Sequence, residues 1–104
     1  MIRTIHKAVT AAAYSEGLET VVTGGAAVNR IILRVFFETV ATVDFRAYVD
    51  TDRIAEAAGE LVAFDNQGLE ILRPLAEGET LSVGWYNGSG SGVTQDIAVQ
   101  VQED

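Results

Sequence analysis

The run Asn87-Gly88-Ser89-Gly90-Ser91-Gly92 is the part of the chain most able to approach a ligand with its backbone. Glycines let amide groups come close to an anion, so a phosphate cradle is the first chemistry to weigh. Such cradles also use a lysine and a following helix, and neither is here. The residues after Gly92 alternate like a strand, which makes the segment a long hairpin loop, and its serines lack the spacing of a nucleophile elbow. Asn87-Gly88-Ser89 matches the glycosylation triplet, a pattern that chance supplies often. Asp50-Thr51-Asp52, with Asp44 nearby, offers oxygen ligands of the kind calcium takes. Against an EF-hand loop it fails, because Ala55 stands where glycine is required and Leu61 where the closing glutamate belongs. A turn in which Asp side chains bond their own backbone fits better. Glu77 and Glu79 flank Gly78, where acids solvate a turn as readily as they do acid–base work. His6 is the only histidine and there is no cysteine, so thiolate and multi-histidine metal sites are excluded, and a catalytic triad would rest on one residue near the terminus. The expectation is a protein with no catalytic residues, metal or cofactor, and not an enzyme.

The aromatic residues are the remaining binding candidates. Trp85 and Tyr86 are neighbours on an alternating segment and must face opposite sides of a sheet. Trp85 shares its side with Leu81 and Val83 and is expected in the core. Tyr86 and Tyr48 fall on polar sides, where a ring supplies contact area at small entropic cost.

The elements that position these residues are strands. Val43, Phe45, Ala47 and Val49 alternate with Thr42, Asp44, Arg46, Tyr48 and Asp50. Leu81, Val83 and Trp85 alternate with Ser82, Gly84 and Tyr86, and Ile97, Val99 and Val101 alternate with Ala98, Gln100 and Gln102. Ile31 to Phe37 is apolar on both sides except at Arg34 and reads as a central strand. Turn signals fall at Ser15-Glu16-Gly17, Gly24-Gly25, Asp50-Thr51-Asp52, Asp65 to Gly68, Glu77-Gly78 and Asn87 to Gly92. Leu61 to Phe64 and Leu69 to Leu72 read as a hairpin, with Pro74 marking where the second strand leaves its ladder. His6 to Tyr14 and Arg53 to Ala58 hold enough alanine to suit either helix or strand. The first is taken as an N-terminal strand or arm within residues 1–14, the second as a single helical turn or a strand. Seven or eight short strands at this spacing predict one all-β domain over residues 1–104, an antiparallel β-sandwich of jelly-roll type.

Composition narrows the partners. Fifteen acids against seven bases give a net charge of −8, which repels phosphate backbones and anionic lipid, so neither nucleic acid nor membrane is expected. No apolar run is long enough to span a bilayer, and no signal-peptide core follows the first residues. Lys7 is the sole lysine; acid excess with arginine in place of lysine fits either a salt-adapted surface or a GC-rich genome.

The segment Leu72-Arg73-Pro74-Leu75-Ala76-Glu77-Gly78-Glu79-Thr80-Leu81-Ser82-Val83, followed by Trp85-Tyr86-Asn87, resembles a turn and strand of small head-decoration and fibre-base proteins of tailed viruses. The resemblance covers the last third of the chain. It implies a virion protein on the capsid surface, a trimer or other symmetric homo-oligomer that contacts the major capsid protein or other virion proteins. Ile2, Thr4, Ile5, Ala8 and Val9 are the expected contact residues of an arm exchanged with a neighbour. The alternative is a carbohydrate-binding or adhesion module that uses Tyr48, Tyr86, Asn87, Ser89 and Ser91.

Overall fold

A computed structural model describes residues 1–37, 42–58 and 68–104. They form eight strands: β1 (Ile2–Ala11), β2 (Ser15–Thr23), β3 (Arg30–Phe37), β4 (Val43–Val49), β5 (Asp52–Ala58), β6 (Leu69–Leu75), β7 (Thr80–Asn87) and β8 (Val93–Glu103). Two four-stranded antiparallel sheets result, ordered β1-β8-β3-β6 and β2-β7-β4-β5. This is the strand order of an eight-stranded jelly roll, in which the chain passes from sheet to sheet at nearly every connection. No helix long and apolar enough to cross a membrane occurs among the described residues.

Alternation decides which side chains fill the space between the sheets. Val43, Phe45, Ala47 and Val49 of β4, Leu81, Val83 and Trp85 of β7, and Ile97, Val99 and Val101 of β8 are all buried, as their period of two requires. Ile32 and Val35 of β3 join them on either side of a register shift between Ile32 and Arg34. That extra residue is why β3, apolar on both sides in sequence, still presents Arg34 outward. At the centre Phe37 stacks on Phe45, with centroids 4.4 Å apart and planes 3° from parallel, while Trp85 meets both rings edge-on. Burying a side chain of this size stabilises the fold by about 1.5–3 kcal/mol.

The structure revises several local expectations. Arg53 to Ala58 lies wholly in β5, because the two-residue turn at Asp50-Thr51 folds it directly against β4. Ser15-Glu16-Gly17 begins β2 instead of forming a turn; the chain reverses just before it, at Tyr14, which has a φ of 52°. Gly17 is required there for another reason. A Cβ on it would lie 2.0 Å from the carbonyl oxygen of Thr10, since β1 crosses directly against β2 at this corner. Pro74 does not end its strand: it pairs with Ile31 inside β6, an edge strand where a missing N–H is tolerated. Leu61 to Phe64, expected as half of a hairpin, lie outside the described residues. Asn87 to Gly92 does not close a hairpin either, because β7 and β8 belong to different sheets. Residues 1–11 are built into the fold: β1 runs in unbroken register along β8, the terminal amine donates to the Glu103 carbonyl, and Glu103 N–H donates back to Met1.

Candidate functional site

The outward face of the β2-β7-β4-β5 sheet gathers six polar and aromatic side chains. Arg46 and Tyr48 are two apart on β4 and so share a face; Tyr86 comes from β7, Glu16 from β2, and Arg53 and Glu56 from β5. The residue beside Arg46 on β7 is Gly84. With no side chain there, the guanidinium crosses β7 and donates from Nη1 to Glu16 Oε2 at 2.9 Å, while its Nε donates to Glu56 Oε2 at 2.8 Å. Gly84 is also forced by packing, because a Cβ there would fall 1.8 Å from the Gly17 carbonyl oxygen.

Around this arginine the other groups close a network. Tyr48 OH donates to Glu16 Oε2 at 2.7 Å and accepts from Arg53 Nε at 3.2 Å, and Arg53 Nη1 reaches Glu56 at 3.2 Å. Arg46 lies over the Tyr86 ring, 4.8 Å from its centroid, and Arg53 over the Tyr48 ring at 5.6 Å. Partial burial pushes the Glu16 carboxyl up, but the hydrogen bonds from Tyr48 and Arg46 and the charges of Arg46 and Arg53 outweigh it. Glu16 is therefore held below the usual carboxylate value. The bond to Glu16, against some desolvation and helped by Glu56, raises Arg46 above an ordinary guanidinium. The pairs are partly exposed, from 18% at Arg46 to 43% at Glu56, and each contributes little stability alone, about 0–1 kcal/mol. Together they clamp four strands into one stiff surface.

The second cluster is built on Asn87. Its side chain is fully buried, with Nδ2 donating to the Ala11 carbonyl at 3.2 Å and the Ser91 carbonyl at 2.6 Å. Its Oδ1 accepts from Ser89 N–H at 2.9 Å and Ser89 Oγ at 2.7 Å. The Ser91 carbonyl, 2.9 Å from Ser89 Oγ, is a second acceptor for that hydroxyl's single hydrogen. Backbone bonds from Tyr14 N–H to Ser89 O and from Gly88 N–H to Thr42 O dock the loop on its neighbours. Asn87 is thus a strut inside the loop and not a surface contact, which corrects its expected role and leaves its amide inaccessible to a glycan.

Of the remaining expected contact residues, Ile2, Thr4 and Ala8 point outward from β1 and are exposed, whereas Val9 is buried and Ile5 packs on the core. Alternation explains the split, since one strand cannot present consecutive residues to one side. Ser89 is half-buried, with its N–H, carbonyl and hydroxyl all bonded within or beside the loop, whereas Ser91 is exposed and is tied to Asn87 and Ser89 through its backbone. Tyr48 and Tyr86 do share a face, as their period implies. Arg46, Arg53, Glu16 and Glu56 join them only in the structure. Arg46 could have been found from its two-residue spacing to Tyr48; Glu16 could not, because its segment reads as a turn.

Asp50 turns out to serve another strand: its Oδ1 accepts from Thr80 N–H at 3.0 Å, holding the β4–β5 turn to the start of β7, not to its own backbone. Asp50 also adopts a φ of 55°. Among the described residues no three His, Asp or Glu side chains converge as metal ligands would. His6 is exposed opposite Ala98, and Glu79 Oε1 accepts from Ala76 N–H within its own turn.

All six arginines engage in ion pairs: Arg3 and Arg30 with Glu103, Arg34 with Glu70, Arg46 with Glu16 and Glu56, Arg53 with Glu56, and Arg73 with Glu79. The positive charge of the chain is spent on holding strands together, which leaves a surface dominated by carboxylates. No protein-family model matches the sequence, and no curated protein is significantly similar to it.

Proposed function

We propose that this protein is a structural assembly subunit, an accessory or decoration protein of a virion that associates with copies of itself and reinforces a capsid lattice. The observation that carries the reading is the outward face of the β1-β8-β3-β6 sheet. Ile31 pairs with Gln102 and Phe36 with Ala98, so both face outward with Ala98, and Leu72 and Pro74 of β6 extend the same apolar surface. Leu72 is 57% exposed and Ile2 61%, and the register sets Ile2, Gln102, Ile31 and Pro74 in one row across the sheet, a mainly apolar stretch beside the Arg34–Glu70 pair of the kind that marks an association surface. Jelly rolls recur in viral shells and in lectins, and here the side chains that could do chemistry are spent on one another.

The tyrosine face supports the second reading, a carbohydrate-binding module, less well. A sugar stacks on an open ring, and here Arg46 covers one face of Tyr86 and Arg53 one face of Tyr48.

The native mass by light scattering after size exclusion separates the two. The assembly reading expects a discrete oligomer that is unaffected by sugars, and the protein present at many copies in virions purified from the source of its gene. A monomer at every concentration, with saccharide binding lost in Tyr86→Ala, would replace it with the second reading.

A further inference from the structure

Among the described residues no strand pairs with β1 on the side away from β8, and the backbone pattern of that edge can be read from one pair of bonds. Met1 and Glu103 exchange two hydrogen bonds, N–H to carbonyl in each direction. From that pair the register along β8 continues without a shift to Ala11 opposite Val93. Antiparallel pairs alternate, so Arg3, Ile5, Lys7 and Val9 bond to β8, while Ile2, Thr4, His6 and Ala8 aim their N–H and C=O groups away from the sheet. Thr10 follows the same rule, and its carbonyl is the one that lies against Gly17 of β2. The open stretch is therefore Ile2 to Ala8.

The other three edges carry features that discourage strand addition. The register of β2 shifts between Thr20 and Val22, and Glu16 and Glu19 lie on it. β5 pairs with β4 across a shift at Ala47/Tyr48 and presents Arg53 and Glu56. β6 holds Pro74, a residue at φ 51° (Leu72) and a shift against β3. Among the described edge strands β1 alone keeps one register throughout and has no proline; its outward residues Ile2, Thr4, His6 and Ala8 include no carboxylate or lysine, and its cations Arg3 and Lys7 lie on the other side. Arg3, which faces inward, is tied to Glu103.

We propose that β1 is a strand-addition site for β1 of a second copy, joined antiparallel to give one continuous eight-stranded sheet across the pair. This rests on the self-association proposed above and names its surface. The pairing is self-complementary. A two-fold axis normal to the sheet keeps outward faces outward, so the numbers of directly opposed residues must sum to an even number. Even residues then face even residues, and each free N–H meets a free C=O. A sum of 12 centres the contact on His6, with small or neutral outward side chains beside it and with Arg3 opposite Val9 and Lys7 opposite Ile5, whereas a sum of 10 would set Arg3 against Lys7. The segment is not exchanged, since its bonds to β8 stay in place.

Proline at an outward-bonding position is the discriminating probe. Thr4→Pro and His6→Pro delete N–H groups that β8 does not use, so the monomer keeps its fold while the added edge is blocked. Light scattering of these variants is expected to show the oligomer halved in mass, with far-ultraviolet circular dichroism unchanged. Because the chain has no cysteine, His6→Cys provides a unique thiol. A short thiol–thiol crosslinker is expected to join two copies through position 6 and not through Thr94→Cys on the neighbouring strand. Should a proline variant lose its fold, the crosslinking pair alone decides. An oligomer of undiminished mass in folded proline variants, or one that fails to crosslink at position 6, overturns the edge pairing and leaves self-association standing. A wild-type chain that is monomeric throughout overturns both.

Discussion

Replacing Asn87 tests whether one buried amide holds the β7–β8 crossing. Asn87→Ala removes two donated and two accepted hydrogen bonds from a side chain with no exposure. Water can reach the groups of Ser89 and Ser91, so their loss is partly repaired; the contact with the Ala11 carbonyl lies where water cannot follow. With about 0.5–1.5 kcal/mol net per bond and partial compensation, the cost is about 2–3 kcal/mol. In a domain of this size that lowers Tm by roughly 10–20 °C. Asn87→Asp sharpens the test, because it keeps the oxygen that Ser89 uses but turns a second oxygen onto the Ala11 and Ser91 carbonyls. Burial and those carbonyls raise the new carboxyl above its unfolded value. The Asp variant should therefore be no more stable than the Ala variant at neutral pH and should regain stability on acidification, when the protonated carboxyl can donate. Thermal melts of the three proteins at two pH values are the assay, with amide exchange at Tyr14 reporting on the loop. A fall of less than about 4 °C in Asn87→Ala, under 1 kcal/mol, would refute the reasoning.

Gly17→Ala forces a methyl group into the Thr10 carbonyl, so it should cost more than an ordinary Gly→Ala change in a strand and yield little folded protein; unaltered expression and Tm would contradict the corner geometry. Phe45→Ala empties the middle of the aromatic stack and should cost about 3–5 kcal/mol in a urea melt. Glu16 is held below its ordinary value, so its stabilisation is complete above about pH 4.3 and is lost as the pH falls through its lowered value in the fold. In Arg46→Ala that acid-dependent loss should shrink, while the loss of stability at pH 7 stays within about 1–2 kcal/mol because the pairs keep contact with solvent.

Burial along each strand was legible in the sequence because it is local. A period of two assigns Phe45, Val83, Trp85 and Val99 to the core, and Tyr48 and Tyr86 to the outside, whatever the strands pair with. The β-sandwich followed from the number and spacing of such runs. Partnership between strands was not legible, since it depends on which distant segment closes the sheet. Hence Asn87 to Gly92 read as a hairpin loop although it crosses between sheets, and the N-terminal segment read as either a strand or an arm until its register along β8 decided for the strand. Glu16 and Gly17 read as a turn because glycine beside polar residues signals one locally; the close approach of the Thr10 carbonyl, on β1 of the other sheet, is what needs that glycine in a strand. Asn87 showed the same limit. Its residue type announced a loop, but only the tertiary structure turned its amide inward to bind Ala11, 76 residues earlier in the chain.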